Sequence, residues 1–236
     1  MTRGTRSSTC RTVAFFAAGW LCHASVATAG TQVFSTPDVQ LRVPVTSYQE
    51  GRFKSTIKQE RDYSCGSAAV ATLLTYHYEF PVSEHDVFMH MYEKGDQQQI
   101  RRDGFSLLDM KRYLEAEGFR ADGFRLSLDE LAQIGVPAIT LINDNGYRHF
   151  VVIKGVERRY VLLGDPARGT RAMARNRFEK MWNGITFIIR THRLIATNHF
   201  NRPEEWQLTA RAPIWTTAPR QSIASLLLNL PRPYEF

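Results

Sequence analysis

Cys65 is the residue of this chain best placed to do chemistry, and it lies in Gln59-Glu60-Arg61-Asp62-Tyr63-Ser64-Cys65-Gly66-Ser67-Ala68-Ala69. The polar run before it reads as a loop. From Cys65 onward, Ala68, Ala69, Leu73, Leu74 and Tyr78 recur at the spacing of one helix face, and Pro81 closes the run. Cys65 is therefore expected at a helix N-terminus, where unpaired backbone N–H groups and a partial positive charge favour thiolate over thiol. The thiolate is the nucleophilic form. Gly66 and the small residues after it are expected to leave room for a substrate backbone. A lone cysteine is often an inert core residue, but an inert residue has no reason to sit at a helix start behind a polar run.

A thiol nucleophile needs a base, and the base needs a group to orient it. His149 heads the apolar strand Phe150-Val151-Val152-Ile153, so the strand is buried while its first residue faces a cleft. Asp165 ends the following strand, at the same end of the hairpin, although a turn aspartate before Pro166 is common for local reasons. The register poses a difficulty. A two-residue turn at Arg158-Arg159 sets Asp165 opposite Val152 and so on the face away from His149. A triad thus requires an odd turn length or a bulge, with Gly164 the expected place. The other histidines offer no metal site. His85 and His90 are five apart, no His-Glu-x-x-His occurs, and a single thiol suits none of the usual zinc sites. No metal or cofactor is expected.

The three cysteines are Cys10, Cys22 and Cys65. Arg3, Arg6 and Arg11, the apolar run Val13 to Cys22 and Ala27-Thr28-Ala29 form the charged region, core and cleavage site of a secretory signal over 1–29. The apolar run is too short to span a membrane comfortably. Cleavage is expected to remove the first two cysteines and leave Cys65 as the only thiol of an exported, periplasmic protein with no stable membrane span. A single thiol cannot form an internal disulfide, which raises the question of what it is for. Net charge is +7; removing three of the 30 basic residues leaves 27 against 23 acidic, or +4. No basic stripe with interleaved aromatics accompanies that excess, so no nucleic-acid partner is expected.

The remaining pattern says how these residues are carried. Residues 30–54 form a β-leaning lead-in, with Val39 to Val43 alternating before Pro44. Ser83, Ser106 and Ser127 each precede a helix: Glu84 to Glu93, Leu107 to Glu117 and Leu128 to Gln133. The period then switches to strands at Ala138 to Ile142, His149 to Val156, Tyr160 to Leu163, Thr170 to Ala174 and Ile185 to Ile189, with a short helix over Arg177 to Trp182. Helices followed by an antiparallel sheet make an α+β fold. Residues 192–236 carry five prolines and are weakly specified, with a helix at Ser222 to Leu230.

At these residues the chain resembles the C39 peptidases, papain-like cysteine peptidases that cleave after double-glycine leaders. The resemblance covers about Ser55 to Arg190, as a domain over 55–191. It rests on Gln59 six residues before Cys65, on Cys65-Gly66 followed by small residues and a helix, on His149 to Ile153, and on Asp165-Pro166. It implies a papain-like fold with N-terminal helices packed on an antiparallel sheet. It also implies Cys65 as nucleophile, His149 as general base and acid, Asp165 as the group orienting His149, and a Gln59 side-chain donor in the oxyanion hole. Such a donor is typically worth roughly 3 kcal/mol in the barrier.

Ser64 stands where the family often has Asp, which bears on leader recognition rather than on the nucleophile. No phosphate-loop motif and no transmembrane bundle occur, so the chain is similar to free-standing members, among them those of bacterial functional-amyloid secretion systems. The expected activity is cleavage of an exported peptide or protein after small residues such as Gly, with secretion-system components as partners. The alternative is a non-catalytic module that holds a secretion substrate, amyloid subunits included, for export. A weaker reading, a thiol hydrolase of cell-wall amide bonds, lacks any wall-binding module in the tail.

Overall fold

The structure, a computed structural model, describes residues 31–36, 39–44 and 48–209. The expected signal segment and the expected helix at Ser222 to Leu230 lie outside these residues. Strands β1 (Thr31–Thr36) and β2 (Val39–Pro44) pair antiparallel, with Thr36 opposite Val39, and belong to a unit of their own that ends at Val45.

In the larger unit a short helix α1 (Tyr48–Arg52) leads by an extended segment to α2 (Cys65–His77). Helices α3 (Glu84–Lys94), α4 (Gln97–Asp103) and α5 (Leu107–Ala116) follow. Strand β3 (Ala121–Arg125) and helix α6 (Leu128–Ile134) precede four strands: β4 (Ala138–Asp144), β5 (Tyr147–Val156), β6 (Tyr160–Asp165) and β7 (Gly169–Ala174). Helix α7 (Arg175–Met181), strand β8 (Trp182–Ile189) and helices α8 (Arg193–Asn198) and α9 (Pro203–Thr209) complete the described chain. The six-stranded sheet runs β3-β8-β4-β5-β6-β7, and every pairing in it is antiparallel.

The three serine-started helices form for the local reason the sequence suggests. The Ser83, Ser106 and Ser127 hydroxyls accept from the backbone N–H three residues on, and at Ser106 and Ser127 the acidic partner closes a capping box. Helix α2 is different in kind. Ala68, Ala69, Val70, Ala71, Leu73 and Leu74 are all fully buried, so it is hydrophobic on every side and runs through the core against α3 and the sheet. Asn145 and Gly146 both take positive φ in the β4–β5 hairpin, as a tight two-residue turn demands.

Several elements differ from the sequence expectation, among them α1 within the expected β lead-in. Helix α4 has one buried apolar residue, Ile100, and owes its start to Asp96, whose carboxylate accepts from the Gln98 and Gln99 N–H groups. Strand β3, Ala-Asp-Gly-Phe-Arg, shows no alternation and is held by pairing with β8. Residues 193–209, placed by sequence in a weakly specified extension, form two helices; α8 contacts α2, and α9 contacts α1 and β7.

Candidate active site

Cys65 is the first residue of α2 and is 7% exposed. Its neighbour Ser64 does not cap the helix. The Ser64 hydroxyl donates to the Arg61 carbonyl and accepts from the Arg61 N–H, each at 3.1 Å, so no side chain covers the first-turn amides beside the sulfur. Apolar packing fixes the position. A Cβ on Gly66 would lie 2.8 Å from Met110 Cε and 3.0 Å from Phe105 Cβ, so the space at Gly66 is filled by α5 and the residues before it. The expected role of Gly66, room for a substrate backbone, is corrected accordingly. The Ser67 hydroxyl donates to the buried Glu84 carboxylate at 2.7 Å and ties α2 to α3.

The opposite wall is polar. His149 Nε2 and Asp165 Oδ1 are 2.8 Å apart, and both side chains are almost fully buried. A carboxylate can only accept, so Nε2 carries the proton and Nδ1 is left facing away from Asp165. Nδ1 is buried without a regular hydrogen-bond partner, and the group acting on the ring from outside the hairpin is Cys65. Burial opposes a charged imidazole. The Asp165 hydrogen bond, the Cys65 sulfur and the charges of both groups outweigh burial and hold the His149 pKa up at about 9. For Asp165, burial pushes the carboxyl up, but the His149 hydrogen bond and charge, Arg171 and the Ala167 N–H bring it down to about 2.

Asp165 is held on both oxygens. Oδ1 also accepts from the Ala167 and Arg168 N–H groups at 3.0 and 3.2 Å, and Oδ2 accepts from Arg171 Nε at 3.0 Å. Arg171 escaped the sequence reading. It lies in β7, diagonal to Asp165 across the Leu163–Arg171 and Asp165–Gly169 pairs, and a basic residue in the strand after the aspartate was the available signal. Tyr147, two residues before His149 on the same strand face, stacks on the imidazole with centroids 5.5 Å apart.

The register problem is solved by a bulge, as required, but at a different residue. The turn at Arg158-Arg159 has the simple two-residue form, with the Glu157 N–H donating to the Tyr160 carbonyl at 2.8 Å. Val156 pairs with Val161 and Gly155 with Leu162, yet Ile153 pairs with Leu163, so Lys154 is the extra residue. Beyond it Asp165 falls one residue further along β5 and shares a face with His149. Gly164 is not the bulge. It makes space for it: a Cβ there would meet Lys154 Cδ at 3.1 Å.

Gln59 lies next to this wall, its N–H donating to the Pro166 carbonyl at 3.0 Å. Its side-chain Nε2 donates to the Arg61 carbonyl at 2.9 Å, and Oε1 is buried without a partner. One of its two amide hydrogens is thereby used within the loop. Cys65 opens onto a cleft of about 620 Å³ lined by Gln99, Asp103, Leu107, Leu108, Arg148 and Asn183 among others. Leu108, on its wall, is 53% exposed.

The model of the peptidase C39 family matches residues 54–193. The chain belongs to that family. It is 44% identical over 145 residues to "Probable functional amyloid protease FapD" of Pseudomonas aeruginosa, a match covering 61% of this chain and 64% of that protein. It is 42% identical over 145 residues to the protein of the same name from Pseudomonas fluorescens, with the same coverage. The chain thus spans just under two thirds of the length of these relatives. The peptidase domain of Streptococcus ComA, a bi-functional ABC transporter involved in a quorum-sensing pathway, superposes with a TM-score of 0.50 at 20% identity, over 57% of this chain and 96% of that one. This likeness identifies the papain-like C39 fold: helices beside a six-stranded antiparallel sheet.

Proposed function

We propose that the chain is a cysteine peptidase cleaving an exported protein or peptide, with Cys65, His149 and Asp165 as a triad. The observation that carries this reading is a buried imidazole with a carboxylate on Nε2 and Cys65 acting on the ring, beside a cleft. Thiolate Sγ attacks the scissile carbonyl carbon, and the resulting oxyanion is met by first-turn amides of α2. Gln59, through the amide hydrogen not given to Arg61, assists. His149 gives its Nδ1 proton to the departing amine, leaving a thioester. The neutral ring then takes a proton from water as the hydroxyl attacks that thioester, and Cys65 returns as thiolate. Asp165 keeps the proton on Nε2 and stabilises the imidazolium.

The names of the relatives support a reading of the substrate class. By analogy with the protease named for functional amyloid, the substrate is a protein of an amyloid secretion system, cut outside the cytoplasm after a small residue such as Gly. Secretion-system components are then the partners. A module that only holds a substrate does not need the Asp165-fixed imidazole beside Cys65, and that favours the enzyme.

Iodoacetamide labelling at pH 7 tests the pair directly. Cys65 is expected to alkylate faster than a free thiol in the intact protein, and slower in His149→Ala. Cells carrying Cys65→Ala are expected to lose processing of the exported substrate. Labelling no faster than a free thiol, together with normal fibre assembly in Cys65→Ala cells, would overturn the reading.

A further inference from the structure

The bulge that brings His149 and Asp165 to one face is held in part from outside the family match. Lys154 is fully buried, and Nζ donates to the Ser55 carbonyl and hydroxyl at 2.8 Å each and to Glu205 Oε1 at 2.7 Å. The backbone at the bulge is held as well. The Lys154 carbonyl, which a bulge removes from the ladder, accepts from the Asn201 N–H at 2.9 Å, and Asn201 Nδ2 donates to the Val156 carbonyl at 3.2 Å. Gly155 supplies the space, since a Cβ there would fall inside the Asn201 side chain. Asn201 itself takes positive φ. Both Asn201 and Glu205 lie beyond residue 193, where the match to the peptidase family stops.

Bulges are costly to misplace. Losing this bulge, or moving it beyond Val152, would return Asp165 to the face opposite His149. Nothing within the β5–β6 hairpin pins it at Lys154, because the turn is regular and Gly164 merely leaves space. The groups that select Lys154 as the extra residue are the Asn201 N–H on its carbonyl and the Glu205 carboxylate and Ser55 on its ammonium. Burial draws that ammonium down to about 8, against the pull of Glu205.

We infer that the 199–205 segment is a positioning strap for the catalytic pair: Asn201 and Glu205 fix the Lys154 bulge, and through it the alignment of His149 with Asp165. This deepens the peptidase reading and rests on it for the activity, though not for the alignment. Asn201 and Glu205 touch no reacting atom; they act through Lys154.

The test uses the full processed chain and two variants, Glu205→Gln and Asn201→Ala. The reporter is the downfield proton resonance of the His149 Nε2–H bound to Asp165, read with kcat and KM on a peptide carrying a Gly cleavage site. Both variants are expected to broaden or shift that resonance upfield, and to lower kcat by about 10-fold or more with KM within about twofold. Glu205→Asp is expected to restore much of the loss. Folded variants with the resonance and kcat unchanged would overturn the strap and leave the segment purely stabilising.

If neither variant folds, the wild-type chain in rising urea decides. Protection of the Asn201 amide and the His149 resonance must be lost together. Loss of Asn201 protection with the resonance intact would overturn the proposal. A wild type that cleaves no peptide while the resonance still responds to both variants would sink the peptidase reading and leave the strap standing.

Discussion

The two walls of the site are built by opposite means. The Cys65 wall is apolar: a buried helix begins at Cys65, and Met110 and Phe105, brought in from a later helix and its approach, press against Gly66. The His149–Asp165 wall is polar: the carboxylate is gripped by nearby Arg171 and two turn amides, and the bulge beneath it is bonded to distant Ser55, Asn201 and Glu205. Packing places a single sulfur well enough, because a helix start is already oriented. A hydrogen-bonded ring needs a defined register, because a one-residue slip turns one partner to the other face and directional bonds reject it.

If the walls divide in this way, their variants should separate chemistry from stability. The largest effect is expected for His149→Ala, with kcat/KM lower by about 10²–10⁴-fold, the usual range for a lost general acid–base, and a folded protein by circular dichroism. Retained turnover would break the comparison by making the polar wall merely structural.

Asp165→Asn comes next. The His149 pKa, about 9, should fall toward its ordinary 6.5, so the alkaline limb of the pH–rate profile should move down by about one to two units, at roughly 1.4 kcal/mol per unit. A limb left near 9 would exclude Asp165 as the partner of the imidazolium.

On the apolar wall, Leu73→Ala is expected to lower unfolding free energy by about 2–5 kcal/mol in urea titration while the alkaline limb stays in place. A shifted limb would show that the walls are not independent.

The smallest pair of effects concerns stability alone. The raised His149 pKa contributes stability fully present below 6.5 and lost as pH rises through about 9; the lowered Asp165 pKa contributes above about 3.8 and is lost toward about 2. The urea midpoint should decline across the alkaline window, and His149→Ala should flatten that part of the slope. Ser127→Ala, a cap remote from both walls, should cost about 1 kcal/mol and leave every pH dependence as it was.

The same division explains what the sequence disclosed. Cys65 at a helix start, the serine caps and the five core strands are encoded by neighbours within a turn or two, and they are legible for that reason. The pairing of His149 with Asp165 was legible as a requirement, since alternation along two strands demanded an irregularity. Its location at Lys154 was not, because the selecting groups, Asn201 and Glu205, follow far along the chain in a stretch whose composition looks loose. Arg171 was hidden similarly: its partner is fixed by register across β6 and β7, and residue type alone does not announce it. Helix α4 and strand β3 carry too little apolar pattern to be seen without the surfaces they lie on.

The order of the chain gives the strap a further meaning. A ribosome or a translocation channel delivers Cys65, His149 and Asp165 before Asn201 and Glu205. At synthesis rates of roughly 5–20 residues per second the delay is a few seconds. During that interval the nucleophile, the imidazole and the carboxylate all exist, but the register that aligns them has no lock. On the proposed reading the site is therefore completed last, by the 199–205 segment, and a nascent chain carries Cys65 before the register beside it is fixed.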